Sequence, residues 1–314
     1  MFVVAGESLM DLVSGPDGSL TPVPGGGPYN FARALALQGV PTGYINPFSD
    51  DAFGITLRRT LEASGARHLG STSVRPTSLA VVTADERGQP GYSFYRQGVA
   101  DRDIDATALI AATPASTIGF HTGGLALVPP DDASIGATLH AVRARGALCT
   151  VDANMRMQVA QRLGVDAGRY RDAALGVLSA AHVAKVSDED LLHLGFSGAP
   201  HIAARALLHR GCRLVVLTLG AEGAWAIGAE EQVFQPAAPV DPVDTVGAGD
   251  CFFAGFIAVL HRNGTLQSVR DRAPPAAVLT QALRHATACA AINIGRKGCA
   301  PPSWAEASSW RGPG

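Results

Sequence analysis

The stretch Asp244-Thr245-Val246-Gly247-Ala248-Gly249-Asp250-Cys251-Phe252-Phe253-Ala254-Gly255-Phe256 sets a glycine-rich turn directly before an apolar, helix-prone run. A carboxylate stands at the junction. Gly247 and Gly249 let the backbone approach a ligand closely and adopt conformations barred to other residues. The free N–H groups of the following helix then point at whatever lies above them, and with the helix dipole they favour an anion, most often a phosphate. Asp250 is out of place in a plain phosphate loop, because a carboxylate repels the ligand. It reads either as a helix cap, a common use of aspartate, or as a base that takes a proton from an attacking hydroxyl. The chain has no G-x-x-x-x-G-K-[ST] loop, and the third glycine of a dinucleotide fingerprint would fall on Phe252.

Around that turn, 314 residues leave room for one large α/β domain or two small ones. The composition, 47% hydrophobic and 17% charged, suits a compact enzyme and not a disordered or fibrous chain. A net charge of -2 gives no electrostatic case for a nucleic-acid or membrane-surface partner. No apolar run reaches the roughly 20 residues that span a bilayer. The opening Phe2-Val3-Val4-Ala5-Gly6 reads as a strand without a basic leader, so a cytoplasmic protein is expected. The five cysteines are scattered and odd in number, which favours reduced core thiols. Only two lysines occur, Lys185 and Lys297.

Strand-like and helix-like runs alternate: Phe2–Ala5, Asn30–Gln38 (helix), Leu57–Ala63 (helix), Thr117–His121, Ala133–Arg145 (helix), Ala147–Asp152, Tyr170–Ala180 (helix), His182–Val186, Ile202–Arg210 (helix) and Leu214–Leu219. This rhythm predicts βαβ units, hence a mainly parallel central sheet with helices on both faces. Sites in such sheets gather at the carboxyl ends of strands, where Gly6-Glu7, His121-Thr122-Gly123, Asp152, Lys185 and Thr218-Leu219-Gly220 fall. Leu12–Pro24 and Thr77–Arg96 break the rhythm with β-prone, turn-punctuated segments. They read as a small β-sheet, either a lid over a substrate or an ordinary edge hairpin, with segments at about 12–24 and 77–104 of a single domain spanning 1–314.

The C-terminal motif resembles, almost letter for letter, the D-T-x-G-A-G-D element of the ribokinase/PfkB family of sugar kinases. Gly25-Gly26-Gly27-Pro28-Tyr29-Asn30-Phe31-Ala32, closing on Gly39, is similar to the family's N-terminal G-G-x-P-x-N-x-A signature. Gly6-Glu7-Ser8-Leu9-Met10-Asp11 and Tyr95-Arg96-Gln97-Gly98-Val99-Ala100-Asp101 look like the G-E-x-L-x-D and F-Y-R-x-G-x-A-D elements of fructokinase-like members. Asp152-Ala153-Asn154-Met155-Arg156 follows a D-x-N-x-R pattern, readable as direct contact or as a salt-bridged loop. One departure is Ser49-Asp50-Asp51-Ala52-Phe53-Gly54, where relatives usually show G-D-D-x-F-G; it leaves the detailed shape of the sugar pocket open.

The resemblance implies a ribokinase-like fold and an ATP-dependent kinase acting on a primary sugar hydroxyl, with D-fructose as the expected substrate. It implies Asp250 as the base and Gly247, Ala248 and Gly249 as the anion hole. Asp11, Gly26, Gly27, Asn30, Arg96 and Arg156 are the implied sugar contacts. Lys185, Ser187, Thr218, Gly220, Gly223 and Asn293 are the implied ATP contacts. Magnesium accompanies ATP, with Asp190 reaching it through water because its carboxylate is shorter than the usual glutamate. K+ as a further ion and a homodimer are within its scope. A 2-keto-3-deoxygluconate kinase with Arg96 as carboxylate clamp, a ribose or nucleoside kinase, and a catalytically silent sugar or nucleotide sensor are the competing readings.

Overall fold

A computed structural model describes residues 1–15, 17–84 and 90–312. The chain opens with β1 (Phe2–Val4), passes through β2 (Leu9–Ser14) and β3 (Leu20–Gly25), and enters α1 (Gly27–Leu37). Next come β4 (Thr42–Tyr44), β5 (Phe48–Ser49), α2 (Ala52–Ala63), β6 (Arg67–His68) and β7 (Thr72–Ser73), then the longer β8 (Ser78–Ala84) and β9 (Pro90–Tyr95). The middle of the chain alternates α3 (Ala106–Ala112), β10 (Gly119–Gly123), α4 (Asp131–Ala144), β11 (Leu148–Asp152), α5 (Met157–Arg162), α6 (Ala167–Ser179), β12 (Val183–Ser187) and α7 (Asp188–His193). The short helices α8 (Pro200–Ala203) and α9 (Arg205–His209) lead to β13 (Leu214–Thr218), β14 (Gly223–Ile227) and β15 (Gln232–Pro236). Three helices complete the chain: α10 (Ala248–Arg262), α11 (Ala276–Ile294) and α12 (Trp304–Ser309).

Among the described residues, nine strands form the central sheet in the order β15-β14-β13-β12-β11-β10-β1-β4-β6. From β13 to β6 every pairing is parallel, and β14 and β15 add an antiparallel edge. Alternation along β1 divides the interior in two. Phe2 and Val4 join the core formed with Phe31, Phe253 and Phe256, while Val3 and Ala5 join Leu125, Leu139 and Val151 on the other face. Strands buried on both faces read as continuous apolar runs, as Leu214–Leu217 does with every residue at 0% exposure. The expected α/β architecture is therefore present.

A second sheet of four strands, in the order β3-β2-β8-β9, lies outside this frame. Its register sets Asp11 beside Val23 and Ala80, with Ala80 beside Phe94, so these four share one face. The expected hairpin is present, and its turn at 85–89 lies outside the described residues. The segment 202–210, read as one helix, is split between α8 and α9. All five cysteines are free and buried. Among the described residues no helix is long and apolar enough to cross a membrane.

Candidate active site

Gly247 is the N-cap of α10, with φ 74, and a Cβ placed on it would overlap the Cys299 sulfur. Both the left-handed backbone and the crowding call for glycine. Ala248 N–H donates to the Thr245 carbonyl at 3.2 Å, which leaves the N–H groups of Gly249 and Asp250 at the open end of the helix. Of the expected anion hole of Gly247, Ala248 and Gly249, the Ala248 N–H is thus engaged within the turn. The turn itself is braced from behind. Asp244 accepts from Val246 N at 3.0 Å and from Gly298 N at 2.8 Å. Asn293 donates to the Val246 carbonyl at 2.8 Å and accepts from Ala300 N at 2.9 Å. Asn293 has 0% exposure, so it ties the turn to the C-terminal loop and is not available as the expected ATP contact.

Asp250 lies in the first turn of α10, is buried, and makes no side-chain cap. The helix-cap reading falls. Its Oδ2 accepts from Asn30 Nδ2 of α1 at 3.0 Å. Burial raises its pKa to about 7, the nearby Asp152 charge adds to the rise, and Lys185 and the Asn30 hydrogen bond oppose it. A carboxylate so placed is fixed in direction and titrates near neutrality.

Below the turn, Asp152 at the end of β11 and Lys185 on β12 are register neighbours, and Lys185 Nζ lies 2.8 Å from Asp152 Oδ2. Both are buried. Burial works against the Lys185 charge, but Asp152, joined by Asp190 and Asp250, more than offsets it and its pKa is raised. Ser187 and Asp190 form a capping box at the start of α7. Asp190 accepts from Met155 N at 2.7 Å and from Ser187 N at 2.8 Å, so each of its oxygens already holds a backbone N–H. That donor set fits contact with a hydrated cation through water. Thr218 is half-buried beside the open-sided Gly220, whereas Gly223 is glycine because a Cβ would overlap the Gln235 carbonyl.

The opposite wall is the Gly26-Gly27 loop. A Cβ on Gly27 would stand 3.0 Å from Asn154 Nδ2, 3.5 Å from Asp250 Oδ1 and 3.5 Å from Glu7 Oε1, so this glycine marks where three polar side chains converge. Asn154 holds a left-handed φ of 37, a conformation that functional sites often retain. Glu7 Oε1 accepts from Gly27 N at 3.1 Å, while Glu7 Oε2 and Asn30 Oδ1 are buried with no partner. Buried orphan acceptors are costly unless a ligand's donors satisfy them. Asp11 on β2 has its pKa raised to about 7 by burial and by the charge of Asp244.

Two expected sugar contacts, Arg96 and Arg156, already hold partners within the protein. Arg96 is 3% exposed and donates through Nη2 to Asp101 Oδ2 at 2.8 Å, and Asp101 also accepts from Ser78 Oγ. Its Nε and Nη1 are buried without partners, and the charges of Asp101, Glu7 and Asp131 all act on it and offset the cost of its burial. Arg156 is exposed and donates to the neighbouring Met155 carbonyl, with its charge close enough to act on Asp152. In the departing 49–54 segment, Asp51 caps α2 at Gly54 N and accepts from Thr77, joining α2 to the start of β8. Sequence reasoning gives no role to Glu7, Asp152 or Asp101. The first two stand at strand ends, and that position is the signal that points to them.

The profile of the pfkB family carbohydrate kinases matches residues 1–306. A fructokinase of Rhizobium leguminosarum bv. trifolii is 33% identical over 275 residues, which is 85% of this chain and 81% of that one. The fructokinase of Vibrio cholerae O395, solved in its fructose-, ADP- and calcium-bound form, superposes with a TM-score of 0.82 at 26% identity, covering 98% of this chain and 97% of that one. The fructokinase of Xylella fastidiosa with bound ATP reaches a TM-score of 0.87 over the same shares at 24% identity and speaks to the fold alone. With its glycine turn, buried carboxylate and ribokinase-like sheet, the chain belongs to the pfkB family of carbohydrate kinases.

Proposed function

We propose that this kinase transfers the γ-phosphoryl group of ATP to the primary hydroxyl of a ketohexose, D-fructose, giving D-fructose 6-phosphate. The observation that carries the reading is the Asp250 carboxylate, aimed by Asn30 at the Gly26-Gly27 loop from inside an anion-binding helix terminus. The sugar lies between Asp11 and Asn30, with its primary hydroxyl against Asp250. Asp250 takes the hydroxyl proton as the oxygen attacks phosphorus. The N–H groups of Gly249 and Asp250 stabilise charge on the transferring group. Ser187, Thr218 and Gly220 line the nucleotide side. Magnesium, when bound with the nucleotide, supplies charge neutralisation at the phosphate oxygens, and Asp190 orients its water shell.

A neutral sugar is favoured over 2-keto-3-deoxygluconate because the Arg96 charge is already matched by Asp101. A bidentate clamp on a carboxylate needs a guanidinium that faces the ligand free of another anion. The small sheet serves as the lid, and a cytoplasmic homodimer is the proposed setting. The Vibrio cholerae fructokinase has also been solved, as a double mutant, in a potassium-bound form, and support of activity by K+ is proposed here on that likeness. The test is ADP release with fructose, 2-keto-3-deoxygluconate, ribose and a nucleoside, with NMR identification of the product. Fructose with the highest kcat/KM and phosphate on C6 supports the reading. Higher kcat/KM for the keto acid overturns it.

A further inference from the structure

Lys185 is one of only two lysines in the chain, and its ammonium is buried. The register of β11 and β12 places it opposite Asp152, which holds Nζ at 2.8 Å. A Cβ on Gly249 would stand 3.2 Å from that same nitrogen. The glycine turn is therefore built directly over the ammonium, and an ordinary side chain at 249 would crowd it. The second carboxylate oxygen of Asp152 is buried without a partner, so the pair is not a closed, self-satisfied salt bridge.

The groups that face Asp250 come from four elements. Glu7 follows β1, Asp152 ends β11, Lys185 sits on β12, and Asn30 of α1 donates its amide. His121 of β10 stacks on Phe31, lies close enough to sense the Lys185 charge, and is kept neutral by burial. Beside Asp250, Cys251 has its thiol kept protonated by burial. The charges facing Asp250 are thus two carboxylates and one ammonium, and the ammonium also adjoins the N–H groups that receive the transferring phosphoryl.

We propose that Lys185 is a positioning residue of the transfer step: a fixed cation, held by Asp152 beneath the Gly249 backbone, that sets the charge felt both by Asp250 and by the anion hole. A buried charge acts strongly there because little solvent screens it. Asp152 and Lys185 then push the base in opposite directions. Removing the ammonium makes the base harder to ionise, and removing the Asp152 charge makes it easier. The inference rests on the reading of Asp250 as the base.

The experiment is the pH profile of kcat at saturating ATP and fructose for Lys185→Met, Asp152→Asn, the double variant and Asp250→Asn. Lys185→Met is expected to shift the acidic limb to higher pH and to lower the plateau about 100-fold, with the KM for ATP close to wild type. Asp152→Asn shifts the limb to lower pH. The double variant removes both partners of the ion pair at once, so it stands in if Lys185→Met does not fold, and its plateau stays as low as that of Lys185→Met. Limbs that move in the same direction, or a wild-type plateau in the double variant, overturn the proposal while an inactive Asp250→Asn leaves the base reading intact. A fully active Asp250→Asn removes the base reading itself, and the proposal with it.

Discussion

Asn30 and Asp250 are separated by 220 residues of chain, yet the Asn30 amide donates to the Asp250 carboxylate at 3.0 Å inside the protein. One hydrogen bond thus joins the N-terminal glycine loop to the C-terminal glycine turn. Asn30→Leu removes the donor while keeping the volume similar. The carboxylate loses both its aim and a neighbour that favours its ionised form. We expect kcat to fall by about 10- to 100-fold and its acidic limb to move to higher pH, as a pH series of ADP release would show.

The rate should rise with pH through about 7, because Asp250 acts in its ionised form and burial holds its pKa there. Stability runs the other way. The folded pKa lies above the ordinary 3.8, so the folded state binds the proton more tightly than the unfolded one between those values. The contribution of Asp250 is present below about pH 4 and is lost as pH climbs to about 7. Asp250→Asn is therefore expected to melt higher than wild type at pH 8, with the gap closing toward pH 4. Equal melting temperatures at both pH values would contradict the burial of this charge.

Asp11 and Arg96 should respond differently to substitution. In the proposed site Asp11→Asn removes a charged acceptor from the sugar, and the KM for fructose should rise by at least about tenfold with little loss of stability. Arg96→Met leaves Asp101 buried and uncompensated, a change worth about 3–5 kcal/mol. Its main result should be a melting temperature lowered by several degrees, measured by calorimetry, and not a change of sugar preference.

Hydrogen exchange addresses the lid. Strands β2, β3, β8 and β9 form their own sheet, and they should gain protection when fructose binds, with β10–β13 much less affected. Unchanged protection in both segments would make the small sheet a fixed part of the fold. Gly26→Val would not probe the lid. Gly26 has φ 113, and a Cβ on it would come within 2.5 Å of the Glu7 carbonyl, so valine destabilises the loop directly.

Much of this was legible in the chain. Period and punctuation placed β1, α1, β10–β13 and the small sheet within a few residues, because apolar strands and glycine-ended helices carry local signals. The glycine turn and Asp250 were readable for the same reason, since a carboxylate among glycines at a helix start is a local anomaly. The pairings of Lys185 with Asp152 and of Arg96 with Asp101 were not. The first depends on the register of two parallel strands and the second on the path of a loop, and neither leaves a periodic trace. Asn293 braces the loop, and a polar residue near a ligand loop looks the same in sequence whether it faces the ligand or does this.

The central claim is that Asp250 takes the sugar proton. Its most direct test is ADP release by Asp250→Asn at pH 8 with saturating ATP and fructose, alongside binding of both ligands by calorimetry. The account predicts near-normal binding with kcat lowered by about two to four orders of magnitude. Turnover close to wild type in a variant that binds both ligands would contradict it.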